Sequence, residues 1–294
     1  MNFELILASD NVASITPAYA IAGTLYVSSV VRKGNATKVV PAVVVDGGLK
    51  QIPFGVSNAN VSPVGGFAYG LVCTVVVPRK PQTGCIMSFD GTDVIMLEIP
   101  VGKCVNVFPF WVNHDCIMGK IMDTSNEAKT GVWDIYGKLV NVLDGTYIGK
   151  IGKEFVKSDI AIDYLPYGYS LPLARSINGS ALIGTMFLNG KRTNANSNSW
   201  VCVDGKYEFI IPTEQPFTRF IGQRVDSTGR FVFGLAFNPD STEQWDVVYD
   251  VKFGQFRTLQ EALGVALNSA TLVIDGNVIY GRGMDGLYKV EGWC

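Results

Sequence analysis

The chain has 294 residues, 24 Lys and Arg against 26 Asp and Glu, a formal charge of −2, and 17% charged against 48% hydrophobic residues. This balance excludes an intrinsically disordered chain and gives no support to nucleic-acid binding through a basic surface. A single histidine, His114, excludes a His-rich metal site, and 32 glycines provide for many turns.

In chain order, Met1 to Leu7 lacks the basic and long apolar regions of a secretory leader, so synthesis in the cytoplasm is expected, the final location staying open. Phe3-Glu4-Leu5-Ile6-Leu7 has the alternation of a strand and matches Tyr207-Glu208-Phe209-Ile210-Ile211 further on. Val12 to Val31 is uncharged and long enough for a membrane helix. Pro17, Gly23 and several small polar residues interrupt it, so no membrane span is expected.

Two short patterns then alternate along the chain. The first is a turn followed by a strand that ends on a small residue: Trp111–Gly119, Ser176–Gly184, Asp226–Gly234 and Val273–Gly281, with weaker copies at Ser62–Gly70 and Ala20–Ser28. The second ends in an acid and glycine: Asp46-Gly47, Asp90-Gly91, Asp204-Gly205 and Glu291-Gly292, with looser copies at Tyr136-Gly137 and Phe253-Gly254. Asp-Gly between β-forming runs marks a hairpin, because two-residue hairpin turns need positive φ. The strands expected after these turns are 49–52, 94–99, 138–143, 207–211 and 256–259. Each period therefore contains two hairpins, or four strands.

The closing residues of the first pattern fall at 28, 70, 119, 184, 234 and 281, in steps of 42, 49, 65, 50 and 47. Four strands every 40 to 50 residues or so is the period of a propeller blade. The expected fold is all-β, a six-bladed β-propeller with four antiparallel strands per blade, forming one domain over 1–294. The sixth copy stops at Trp293-Cys294, before its last strand, and residues 2 to 7 are expected to complete that blade. The apolar neighbours of the small residues, Ile117, Leu182, Val232 and Ile279, are expected to be buried.

The long third step places an insertion at about 144–175, between the third and fourth blades. It carries Tyr147, Phe155, Tyr164, Tyr167 and Tyr169, candidate contacts for a protein partner or a glycan. A short helix is expected at 259–267, with Gly264 weakening it. Through these turn-strand-Gly units the chain resembles a six-bladed β-propeller built of degenerate HAF-like repeats. It lacks the signatures of WD40, kelch and sialidase propellers.

Chemistry-bearing motifs are sparse. His114 falls on a hairpin turn, where other copies have Gly179, Thr228 and Gly276, so a turn role is expected. Asp46, Asp90, Asp204 and Glu291 recur because the turn favours them. The loops Asp123–Asn126 and Asn238–Thr242 lack the oxygen density of a calcium site, and Gly145 to Gly152 has no phosphate-loop spacing. Six cysteines without a CxxC pair are expected to be buried free thiols, and the sequons at Asn35, Asn60 and Asn178 carry no argument without secretion. The resulting expectation is a non-catalytic propeller with no cofactor or metal, a structural or adaptor subunit binding protein partners in a larger assembly, such as a bacteriophage virion or tail. The alternative is a carbohydrate-binding or carbohydrate-cleaving propeller using the insertion. A third reading, an enzyme, requires two carboxylates converging in one pocket.

Overall fold

The computed structural model describes residues 2–8, 14–33, 36–100, 104–123, 128–193, 196–213 and 216–293. Asn35, residues 124–126 of the loop after Asp123, and Cys294 lie outside these residues, as does the side chain of Cys104. The fold is all-β, a six-bladed propeller of four-stranded antiparallel sheets. Its strands belong to two compact units, one centred on residues 5–146 and one on residues 147–284.

After β1 (Asn2–Ala8), the first unit contains three sheets in sequence order. They are β2 (Ile15–Ile21), β3 (Thr24–Lys33), β4 (Ala36–Val45) and β5 (Gly48–Gln51); β6 (Asn60–Phe67), β7 (Gly70–Val76), β8 (Thr83–Ser88) and β9 (Val94–Met96); and β10 (Cys104–Val112), β11 (Cys116–Asp123), β12 (Ala128–Asp134) and β13 (Leu139–Asp144). The second unit opens with a two-stranded hairpin, β14 (Tyr147–Ile151) and β15 (Glu154–Lys157). Two full sheets follow: β16 (Tyr169–Asn178), β17 (Ala181–Leu188), β18 (Ser197–Val203) and β19 (Lys206–Ile210), then β20 (Arg219–Val225), β21 (Phe231–Phe237), β22 (Gln244–Asp250) and β23 (Gln255–Thr258). The last sheet contains β24 (Val273–Asp275), β25 (Val278–Arg282) and β26 (Gly286–Glu291), and its fourth strand is β1, in the order β1-β26-β25-β24. The N-terminal strand thus completes the last blade, as its sequence predicts.

Local chemistry accounts for the turns. Asp46 and Gly47 sit at φ 49° and 73°, and Asp204 and Gly205 at 51° and 77°, the doubly positive pair that a tight two-residue hairpin requires. In the second strand of a sheet, the small residue falls at the fourth position, opposite a bulge in the first strand. Gly119, Gly184 and Gly234 pair with Pro109, Ala174 and Gly222, and each of those partners precedes a one-residue register shift. The bulge brings backbone so close that a Cβ on Gly234 would overlap the Ile221 carbonyl. In the first two sheets the equivalent residues are Val27 and Cys73, opposite Pro17 and Pro63. The weaker copies therefore close on Val27 and Cys73, correcting the Ser28 and Gly70 expected from sequence.

Ile117, Leu182, Val232 and Ile279 are all buried, as are the free thiols of Cys73, Cys85, Cys116 and Cys202. The expected helix is shorter than 259–267. It is a single turn, α1 (Leu259–Leu263), started by a Thr258–Glu261 capping box and stopped by Gly264 in the left-handed region at φ 76°. No helix among the described residues is long and apolar enough to cross a membrane.

Candidate functional site

The insertion folds as a hairpin with a returning loop. Gly152, at φ 57°, turns the chain between β14 and β15, and Ile151 pairs with Glu154. Strand alternation divides its side chains into two sets. Ile148, Ile151 and Val156 pack onto Leu182, Met186, Trp200 and Cys202 of the β16–β19 sheet, joined by Ile160, Ile162 and Leu165 from the loop. Backbone bonds fix that loop at both ends: Ala174 N–H donates to the Ser158 carbonyl at 2.8 Å, and Asn189 N–H to the Gly168 carbonyl at 2.7 Å. A further turn closes with Tyr169 N–H donating to the Pro166 carbonyl at 3.0 Å.

The five candidate aromatics end in three different settings. Tyr147 and Phe155 are half-buried and meet edge to face with ring centroids 6.4 Å apart, while Lys157 Nζ lies 5.8 Å from the Tyr147 ring centre. Tyr169 is half-buried, and its hydroxyl accepts a 2.7 Å bond from Asn198, whose own oxygen accepts from Phe220 N–H. Tyr169 packs onto the β16–β19 sheet, while Tyr147 and Phe155 pair within the hairpin. Tyr164 and Tyr167 are 87% and 102% exposed, although Leu165 between them and Ile160 and Ile162 before them pack inward. A run of alternating apolar residues thus anchors the loop and leaves two phenol rings in water.

Most of the residues able to carry chemistry sit in turns. His114 is exposed at the β10–β11 tip, with Nε2 3.1 Å from Asp115, and the Asn113 side chain accepts the N–H groups of Asp115 and Cys116. Asp90 accepts from Ser88 Oγ at 2.6 Å and from Thr92 N–H and Oγ1 at 3.1 and 2.8 Å, which lowers its pKa to about 2. Asp240 is lowered in the same way, first by the Thr242 hydroxyl. Asp226 accepts the N–H groups of Thr228 and Phe231 in the β20–β21 turn. Burial raises Asp250, but the hydrogen bond and charge of Arg230, at 2.9 Å, outweigh it and the net shift is downward. One pocket has Asp204, Lys206, Tyr207 and Glu208 in its lining; burial raises Glu208 against a lowering hydrogen bond from Tyr249. No group of three or more His, Cys, Asp or Glu among the described residues is placed to hold a metal ion.

No protein-family model matches the chain, and no curated protein matches it. Solved structures do. An oligogalacturonate lyase from Vibrio parahaemolyticus matches with a TM-score of 0.54 at 10% identity, covering 99% of this chain and 96% of that one. The β-propeller domain of the Trilobed protease from Pyrococcus furiosus matches with a TM-score of 0.47 at 9% identity, over 95% and 82%. TolB from Acinetobacter baumannii matches with a TM-score of 0.40 at 11% identity, over 94% and 84%. At these identities the likeness is one of fold.

Proposed function

We propose that the protein is a non-catalytic propeller serving as a structural or adaptor subunit of a larger assembly, and that it holds a protein partner through the loop of residues 158–168. The observation that carries this reading is the pair Tyr164 and Tyr167, fully exposed on a segment whose neighbours Ile160, Ile162 and Leu165 are packed. Tyrosine rings presented by an anchored backbone lose little entropy on binding and are frequent anchors of protein interfaces. Tyr169 packs with the loop's apolar residues against the β16–β19 sheet. The assembly we favour is a bacteriophage virion or tail, on the strength of the compact Val-, Gly- and Asn-rich β-domain. The HAF-like character of the repeats belongs to the same proposal.

The test compares the wild-type chain with a Tyr164→Ala/Tyr167→Ala double variant, in partner capture from the native assembly and on a glycan array. Both rings are exposed, so melting should be unchanged. Loss of two anchors should weaken partner binding by at least about 2 kcal/mol, roughly thirtyfold. A partner retained equally by the variant overturns the assignment of this loop. Glycan binding by the wild type that the variant lacks replaces it with the carbohydrate reading.

A further inference from the structure

The fourth strands of the blades differ in how they meet water. β5, β19 and β23 place Lys50, Lys206, Glu208 and Arg257 along their runs, the charges that commonly guard an unpaired sheet edge. β9 has no charge but is only three residues long. β13 is the edge strand beside β12 among the described residues, and its single charge, Asp144, stands at its end, leaving Leu139-Val140-Asn141-Val142-Leu143 uncharged. Val140 is 58% and Val142 40% exposed. Val132 faces Asn141 and Trp133 faces Leu139, so Val140 is an extra, bulged residue, and Val140, Asn141 and Val142 are all exposed.

The segment from Lys138 to Asp144 reads Lys-Leu-Val-Asn-Val-Leu-Asp, a palindrome in its apolar residues with opposite charges at its ends. We propose that the chain forms a two-fold symmetric dimer by antiparallel pairing of β13 with β13 of a second copy, centred on Asn141. In that register Val140 faces Val142, Leu139 faces Leu143, and Lys138 faces Asp144, each pair occurring twice. Charge complementarity selects both the occupant and the register. A shift of the centre to Val140 or Val142 sets a charge against valine, and parallel pairing sets Lys138 against its own copy. Lys138 is exposed and Asp144 is 91% exposed, its one ion pair being with Lys129 at 3.4 Å. The Val142 N–H, which donates to the Asn141 side chain at 2.8 Å, would exchange that local bond for one to the second copy.

Strand pairing alone falls short of the roughly 800 Å² per partner of a stable interface. The exposed apolar surface beside it would extend the contact. Glu98 N–H donates to the Gly137 carbonyl at 2.8 Å, and the Glu98 carboxylate accepts from Leu139 N–H at 2.9 Å, which holds Ile95, Met96 and Ile99 next to the β12–β13 turn. Those three residues and Tyr136 are all exposed. None of these residues belongs to the tyrosine loop of residues 158–168, so either proposal can fail alone.

The test is sedimentation of the full chain over a range of concentrations. The expected mass is twice 31.9 kDa. Val142→Lys should give monomer that melts like the wild type at concentrations below the wild-type dissociation constant. Lys138→Asp and Asp144→Lys each set like charges opposite one another twice, and the dissociation constant of each should rise about tenfold. Mixing these two variants makes every cross-pair complementary and should restore the wild-type dissociation constant as a heterodimer. A wild-type monomer at all concentrations, a dimer indifferent to Val142→Lys, or single variants that mixing does not rescue each overturns the proposal.

Discussion

A methyl group at position 184 would overlap both the Trp200 ring and the Leu173 carbonyl, because the bulge in β16 presses the first strand onto the second. Gly184→Ala should therefore cost about 1 to 3 kcal/mol or more, read by denaturant unfolding. Gly55→Ala, where nothing lies within 4 Å, should stay within about 0.5 kcal/mol. Equal losses at the two sites would show that the bulge imposes no special cost on residue 184. The small residue at this position was legible in four blades because glycine stands out between β-formers. In the first two it was not, since Val27 and Cys73 carry ordinary side chains. A different signal was available there. Pro17, Pro63 and Pro109 are equally spaced along the chain, and each sits at the bulge, where a missing N–H costs the ladder least.

At the scale of elements, the acid-Gly turns were legible because they are set by local chemistry. The same bonds make them sensitive to acid. Asp90 titrates at about 2 in the folded chain, below the roughly 3.9 of a free aspartate. A lowered folded-state value means that the turn's contribution is present above about pH 4 and is lost as the pH falls through 2. A carboxylate-resolved NMR titration should find the Asp90 midpoint near 2, and Asp90→Asn should flatten the acid limb of the stability profile; a midpoint near 4 would show that Ser88 and Thr92 do not hold the carboxylate in solution. The inserted hairpin was legible as surplus length and as aromatics. Its anchoring set, Ile148, Ile151, Val156, Ile160, Ile162 and Leu165, went unread. Those residues face a sheet distant in sequence, and their alternation, broken at Gly152 and Asp163, shows no simple period. Of the five aromatics, only burial separates Tyr164 and Tyr167 from the other three. The edge of β13 lay within a strand expected at 138–143, but its exposure follows from its place at the end of the sheet order, which only the pairing reveals.

For the molecule as a whole, the blade number and the strand exchange followed from a repeat whose sixth copy lacks one strand. β1 supplies it, and residues 2–8 should then contribute far more than a loose tail. Removing residues 1–8 strips the last sheet of its outer strand and uncovers β26. The truncated chain should melt well below the full one in calorimetry, by about 2 to 4 °C for each kcal/mol lost at this chain length. Coincident melting curves would show that the pairing adds nothing to stability. The same pairing sets an order in time. Residues 2–8 leave the ribosome long before their partner, β26, which ends at Glu291. At about 5 to 20 residues per second, Phe3, Leu5 and Leu7 wait on the order of tens of seconds without a strand to join. A segment made early is thus seated late, and a circular permutant joining residue 294 to residue 1 through a short linker would turn this long-range pairing into a local hairpin.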